Sequence, residues 1–327
     1  MNEPANNRSI VGDGLGMVLR NKRYLIWFFL LNLLLTIYGT SAFRETAHTI
    51  LDHSLNSQNL LHGFDIGVLS EFLGMPKSGP TISMTTPAIY FAIVFFLATA
   101  LFLPGVLLGY ASTYRLPRDD FFRACGRNLW RFIRLMIVAG IIMGILYGIL
   151  AAANSAIVTK AREGTNEVLP FQLQMIGLFL IFLVMTTLRI WFDLAEADIV
   201  LNDQRAVRKS IALGFRHAFR GLARLLASYV FVTLFAAIVL VGGIWCWINL
   251  VAPTAVWRAA VLSQVILFLL LIPRFWQRGM AVSYWQQKML VPVVVAPAPV
   301  PVEPAPVAVT PEPAPIIPES MPPHQGS

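Results

Sequence analysis

Residues Pro117–Met136 read PRDDFFRACGRNLWRFIRLM. Pro117 suits a first helical position, and Asp119 and Asp120 suit a first turn, where negative charge complements the helix dipole. From there Arg123, Arg127, Arg131 and Arg134 recur at helical spacing and share one face. Phe121, Cys125, Leu129 and Phe132 fall on other, largely apolar faces. Beyond them the chain is apolar from about Phe132 to Ala153. A basic amphipathic helix that leads into such a run lies on a membrane surface and then turns into a span.

The rest of the chain agrees. Of 327 residues, 57% are hydrophobic and 13% charged, against about 25% charged in average soluble domains. The apolar residues come in runs of roughly 20, the length that crosses ~30 Å of hydrocarbon. Six spans are predicted: Tyr24 to Ala42, about Pro87 to Tyr110 with Pro104 kinking it, about Phe132 to Ala153, Phe171 to about Ile190, about Leu225 to Ile248, and about Ala255 to Trp276. The expected fold is all-α, an integral membrane helical bundle of six transmembrane helices with basic amphipathic interfacial elbow helices. Thr40-Ser41-Ala42 loosely resembles a cleavage site, but the polar leader and Arg20, Lys22 and Arg23 suit an uncleaved anchor.

Charge sets the orientation. The net charge is +8, and the basic residues lie beside apolar runs, which favours anionic lipid over nucleic acid as a partner. With the N-terminus inside, 20 Lys and Arg fall on inner segments and 5 on outer ones. The bias recurs at every inner loop, which places both termini in the cytoplasm. Trp245, Trp247 and Trp257 are expected in an outer aromatic belt and Trp276 in an inner one. Cys125 and Cys246 fall on opposite sides and are expected not to pair.

The opening construction returns before the fifth span, in NDQRAVRKSIALGFRHAFRGLARLL (Asn202–Leu226). Asn202 or Asp203 is positioned to cap it. Arg205, Lys209, Arg216, Arg220 and Arg224 follow one face; Ile211, Phe215, Phe219 and Leu222 cover another. Arg127 to Arg131 matches Arg216 to Arg220 in pattern, with an aromatic residue before the second arginine. LRNKRYLIW before the first span is a fainter copy. The pattern suggests three related helical hairpins, each entered through a basic elbow. Such elbows bind anionic headgroups or an acidic partner; the plainer reading is positive-inside anchoring.

Gly140, Gly144 and Gly148 line one face of the third span, a small-residue row suited to close helix packing within the chain or to self-association. Arg189, Asp193 and Glu196 share a face at the end of the fourth span, with Asp198 pointing elsewhere. They are read as a salt-bridged helix end neighboured by the basic residues from Arg205 onward; a proton or cation site is the competing reading. Asn32 and Asn154 are available for hydrogen bonds between helices.

Three domains are expected: a cytoplasmic segment 1–23, the membrane domain 24–290, and a Pro-rich tail 291–327. The outer segment 43–84 carries Glu45, His48, Asp52, His53, His62, Asp65 and Glu71. It is read as a surface helix resting on the bilayer, against the alternatives of a metal site or a vestibule; no established ligand motif is present. From Pro292, 12 of 36 residues are proline, a composition for polyproline II that serves as a spacer or recruits a protein partner. The chain shows no P-loop, no zinc metalloprotease helix and no nucleophile elbow. No cofactor is called for, and the chain is not expected to be an enzyme.

The stretch from Leu188 to Leu226, LRIWFDLAEADIVLNDQRAVRKSIALGFRHAFRGLARLL, resembles the bacterial membrane domain fused to some glycerophosphodiester phosphodiesterases, and its uncharacterised multi-pass relatives. The shared features are an acidic residue at a span's end, here Glu196, a basic-Ser step at Lys209-Ser210, and an aromatic-Arg elbow at Phe219-Arg220. The resemblance implies a helical bundle in a bacterial inner membrane. It implies no hydrolysis, since the phosphodiesterase domain is not among these residues. The function expected is a non-enzymatic membrane scaffold or accessory protein whose elbows bind anionic lipid or a partner; the alternative is a small-molecule or lipid transporter.

Overall fold

A computed structural model describes residues 9–39, 80–112, 114–164, 168–252 and 255–289. Contacts divide the chain into Met1–Leu290 and Val291–Ser327, and every described residue belongs to the first unit. The expectations for the proline-rich tail and for Glu45 to Glu71 of the outer segment lie outside the described residues.

Among the described residues every regular element is helical. They are α1 (Ile10–Arg20), α2 (Lys22–Gly39), α3 (Pro80–Ala111), α4 (Arg118–Arg162), α5 (Val168–Leu201), α6 (Val207–Arg220), α7 (Leu222–Leu250) and α8 (Val256–Tyr284), the last closing in a π-turn at Trp285–Met289. Five of them, α3, α4, α5, α7 and α8, are long and apolar enough to cross a membrane. The chain is thus built as a multi-pass membrane protein. Cys125 and Cys246 are both free thiols.

Local chemistry explains the boundaries. The Ser9 hydroxyl caps α1 by accepting from the Gly12 N–H at 3.3 Å, and α1 stops at Asn21, whose N–H bonds back to the Met17 and Val18 carbonyls. A basic elbow was expected before the first span at LRNKRYLIW; the helix lies mostly upstream of that stretch, in residues read as a polar leader. α4 has Asp119 and Asp120 in its first turn and Lys160 and Arg162 in its last, so both ends match the dipole. It runs 45 residues unbroken, which corrects the expected turn between the arginine stripe and the span. No glycine or proline interrupts Arg127–Met136, whereas Gly221 separates α6 from α7. Likewise α3 continues through Pro104. Asn202 and Asp203 do not cap α6; its cap position is Ala206, without a side-chain bond.

The buried core gathers at one end of the bundle. It joins the C-terminal halves of α3, α5 and α8 to α1, α6 and the beginnings of α2, α4 and α7. The other halves present Ile141, Ile145, Phe171, Phe179, Ile238 and Val265 to their surroundings, the surface expected of helices bathed in hydrocarbon. Gly140, Gly144 and Gly148 belong to this exposed part: no described residue comes within 4 Å of a Cβ added at any of them. The close helix approach within the chain expected there is not present among the described residues, because the small residues face outward. Close approach occurs instead at Gly177, where Asn154 of α4 fills the space a side chain would need.

Three short segments each rest on the end of a returning helix. α1 rests on α8, where a Cβ at Gly14 would lie 2.8 Å from the Met280 nitrogen. α6 rests on α5, where a Cβ at Gly214 would lie 2.9 Å from the Trp191 carbonyl oxygen and 3.1 Å from the Ala195 nitrogen. The first turns of α4 rest on α3, with Phe121 and Cys125 filling the space over Gly105. The first two junctions are near-copies. Trp276 Nε1 donates to the Val11 carbonyl at 2.8 Å and Trp191 Nε1 to the Ile211 carbonyl at 2.7 Å. Trp276 is therefore a buried junction residue and not part of an inner belt, whereas Trp245, Trp247 and Trp257 are exposed.

Burial also sets the register of the repeat. Val18, Cys125 and Ala218 are buried equivalents, as are Leu25, Phe132 and Leu225. This aligns Arg20 and Arg127 with Arg220, one helical turn beyond the Arg127–Arg216 match suggested by the sequence pattern.

Candidate functional site

α5 is buried without interruption from Phe192 to Val200, and this stretch contains three carboxylates. Charge in such a place is costly unless paired, and each carboxylate is paired differently. Asp198 is 1% exposed and accepts from Ser210 Oγ at 2.6 Å, Asn202 Nδ2 at 2.7 Å and Trp285 Nε1 at 3.4 Å. It fastens α6 and the π-turn to α5. Asp193 accepts from the Tyr229 hydroxyl at 2.9 Å and lies 3.8 Å from Arg189 Nε. The same hydroxyl stands 3.0 Å from the Gln277 carbonyl, and Gln277 Nε2 donates to Thr233 Oγ1 at 3.1 Å. Asp193 thereby links α5, α7 and α8.

Glu196 faces Arg278 of α8, with Oε2 and Nε 3.8 Å apart. Neither of these two buried atoms makes a hydrogen bond. The structure brings Arg189, Asp193 and Glu196 together as the spacing implied, but the partner of Glu196 comes from α8 and not from the basic segment after Arg205. Arg278 was missed because the sixth span was ended at Trp276. The signal was present in the sequence: Arg274 and Arg278 follow one another by a helical turn in an otherwise apolar stretch. The cluster closes a helix end, and its helices run continuously past it. Many transporter sites sit instead at mid-membrane, typically where helices break.

The second candidate is the basic surface at the same end of the bundle. Arg123, Arg127, Arg134, Arg205, Lys209, Arg216, Arg220 and Arg224 are all exposed. Arg131 is half-buried, with its side chain 18% exposed, because it turns toward the α5–α6 connection. There Asp203 receives two arginines of α4: Arg131 Nη1 is 2.7 Å from Oδ1 and Arg127 Nη1 is 3.6 Å from Oδ2. Arg131 Nη1 also donates to Asn128 Oδ1 at 3.2 Å. Asp203 is the residue with positive φ among the described non-glycine residues, at 48°. The hydrogen bond from Arg131, with the charges of Arg127 and Arg205 beside it, holds its carboxyl below the usual carboxylate range.

α6 rests on α5 through Ser210, Gly214 and Ala218, all buried. Its aromatic side chains stay largely outside the bundle, with Phe215 touching Trp191 of α5 at its edge. Phe215 and Phe219 are 45% and 50% exposed and pack on each other with ring centroids 4.4 Å apart. They stand beside Arg216 and Arg220. On α4, Phe122 and Trp130 are likewise exposed, and the Arg134 guanidinium lies 5.2 Å from the Trp130 ring centroid. Partial burial, together with the charges of Arg216 and Arg220, lowers the pKa of His217 in α6 from its ordinary value.

No protein-family model, curated protein or solved structure matches this chain.

Proposed function

We propose that the chain is a non-enzymatic scaffold or accessory protein of a bacterial inner membrane, whose basic end binds anionic lipid headgroups. α2 acts as a sixth span, both termini lie in the cytoplasm, and α1, α6 and the start of α4 are the elbows at the inner leaflet. One observation carries the reading. α6 rests on the bundle through Ser210, Gly214 and Ala218, with Val207, Ile211 and Leu213 partly buried and Phe215 against Trp191, yet leaves Phe215 and Phe219 about half exposed beside the exposed Arg216 and Arg220. Aromatic and guanidinium groups together suit the interface, where rings enter the acyl boundary and cations meet phosphate. The inner-leaflet placement follows from the charge bias, and the resemblance of Leu188–Leu226 to a bacterial membrane domain agrees with it. The continuous helices and paired carboxylates support a scaffold over the transporter alternative.

The test uses the full chain in neutral detergent, titrated with phosphatidylglycerol or phosphatidylcholine and read by native mass spectrometry. Each basic residue near an anionic surface contributes about 1 kcal/mol. Replacing Arg123, Arg127, Arg131, Arg216 and Arg220 together by Gln is expected to weaken phosphatidylglycerol binding at least tenfold and to remove its salt sensitivity. Equal binding of the two lipids by the unaltered chain would refute the reading.

A further inference from the structure

On the basic surface two guanidinium groups already hold an exposed carboxylate. Arg127 and Arg131 meet on the two oxygens of Asp203 at 3.6 and 2.7 Å, and Arg205 adds its charge to the same carboxylate. Two guanidinium groups contact one carboxylate there. Asp203 is about half exposed, with 48% of its side chain accessible, so the site opens to the surroundings. Arginine forks suit phosphate oxygens as well as carboxylate oxygens. Trp130 and Phe122, on the same first turns of α4, are 61% and 60% exposed and provide apolar surface for what lies beyond a headgroup.

We propose that Arg127 and Arg131 form a specific site for the phosphodiester headgroup of an anionic phospholipid, and that Asp203 is its intramolecular competitor. The inference rests on the lipid-binding reading and sharpens it. Headgroup phosphate displaces the Asp203 carboxylate from the two arginines, exchanging one pair of charge-assisted bonds for another. When the lipid leaves, Asp203 returns and offsets one of the two bare guanidinium charges. The backbone suits the role, since an Asp held at φ 48° projects its side chain from a fixed connection between α5 and α6.

The experiment compares the unaltered full chain with Asp203→Asn in the phosphatidylglycerol titration. Asn adopts positive φ as readily as Asp, so the backbone is kept while the competing charge is lost. An exposed ion pair holds its partners only weakly. The expected result is therefore about threefold tighter phosphatidylglycerol binding, with phosphatidylcholine unchanged. Asp119→Asn removes an equal charge elsewhere on α4 and is expected to change nothing. Unchanged or weaker binding by Asp203→Asn, or equal tightening by Asp119→Asn, would overturn the proposal while leaving general lipid binding intact. Loss of lipid preference in the unaltered chain would overturn both. Free glycerol phosphate competing as strongly as the lipid would show that the ligand is a soluble phosphate and would also overturn it.

Discussion

Glu196 and Arg278 stand opposite each other on two helices, and the atoms nearest each other have no other bond. Removing one member of such a buried pair strands the other, which costs on the order of 3–5 kcal/mol, whereas replacing both by apolar groups is often neutral. Glu196→Leu and Arg278→Met are each expected to lower the melting temperature in detergent, and the double variant is expected to recover most of the loss. A double variant as unstable as the sum of the two would show that the residues act separately. Tyr229→Phe removes the donor to buried Asp193 and is expected to cost about 1–3 kcal/mol. His217 gives a pH-dependent effect. Its lowered pKa means that the unfolded chain binds the proton more tightly. Its stabilisation is therefore complete above the ordinary histidine pKa of about 6.5 and is lost as pH falls through the lower, folded value. His217→Gln is expected to flatten the stability profile below about pH 6.5, measured by unfolding at a series of pH values.

At the scale of elements, α1 and α6 are seated by glycines that touch backbone. A methyl at Gly14 or Gly214 would fall within 3 Å of Met280 nitrogen or Trp191 oxygen, and backbone cannot swing aside. Gly14→Ala and Gly214→Ala are each expected to cost about 1–3 kcal/mol by overpacking. Gly140→Ala, with open space around it, is expected to be neutral or slightly stabilising, and the three midpoints are to be compared by thermal unfolding. The long helices were legible because runs of about 20 apolar residues have few other fates. The seat of α6 was not, because the sequence pattern brings out its arginine and aromatic faces and gives no weight to the small residues between them. Burial went to Ser210, Gly214 and Ala218, which let the axes approach where bulky rings would hold them apart. α1 was hidden for the same reason: its inward row is Ile10, Gly14 and Val18, too sparse in apolar bulk to stand out. The glycine row of α4 misled in the opposite direction, since small residues permit close packing without supplying a partner.

At the scale of the molecule, the polar joints and the buried core share one end, while the apolar halves of the spanning helices face outward. The ion pair across α5 and α8 lay beyond a single-span reading, because its two halves are 82 positions apart in the chain and only packing brings them together. Sidedness is tested by single cysteines placed at Arg127, Arg220 or Trp257 in a chain lacking Cys125 and Cys246. A membrane-impermeant thiol reagent added to intact cells is expected to label only the third, and labelling at Arg127 or Arg220 would reverse the assigned orientation. The seat of α1 has a consequence for biogenesis. α1 leaves the ribosome long before Trp276, to which Val11 is bonded across 265 positions of chain, and before Met280 beside it. Until α8 is made the groove-seeking side of α1 has no home, and a nascent chain halted before α8 keeps that helix open to proteases and chaperones until translation resumes.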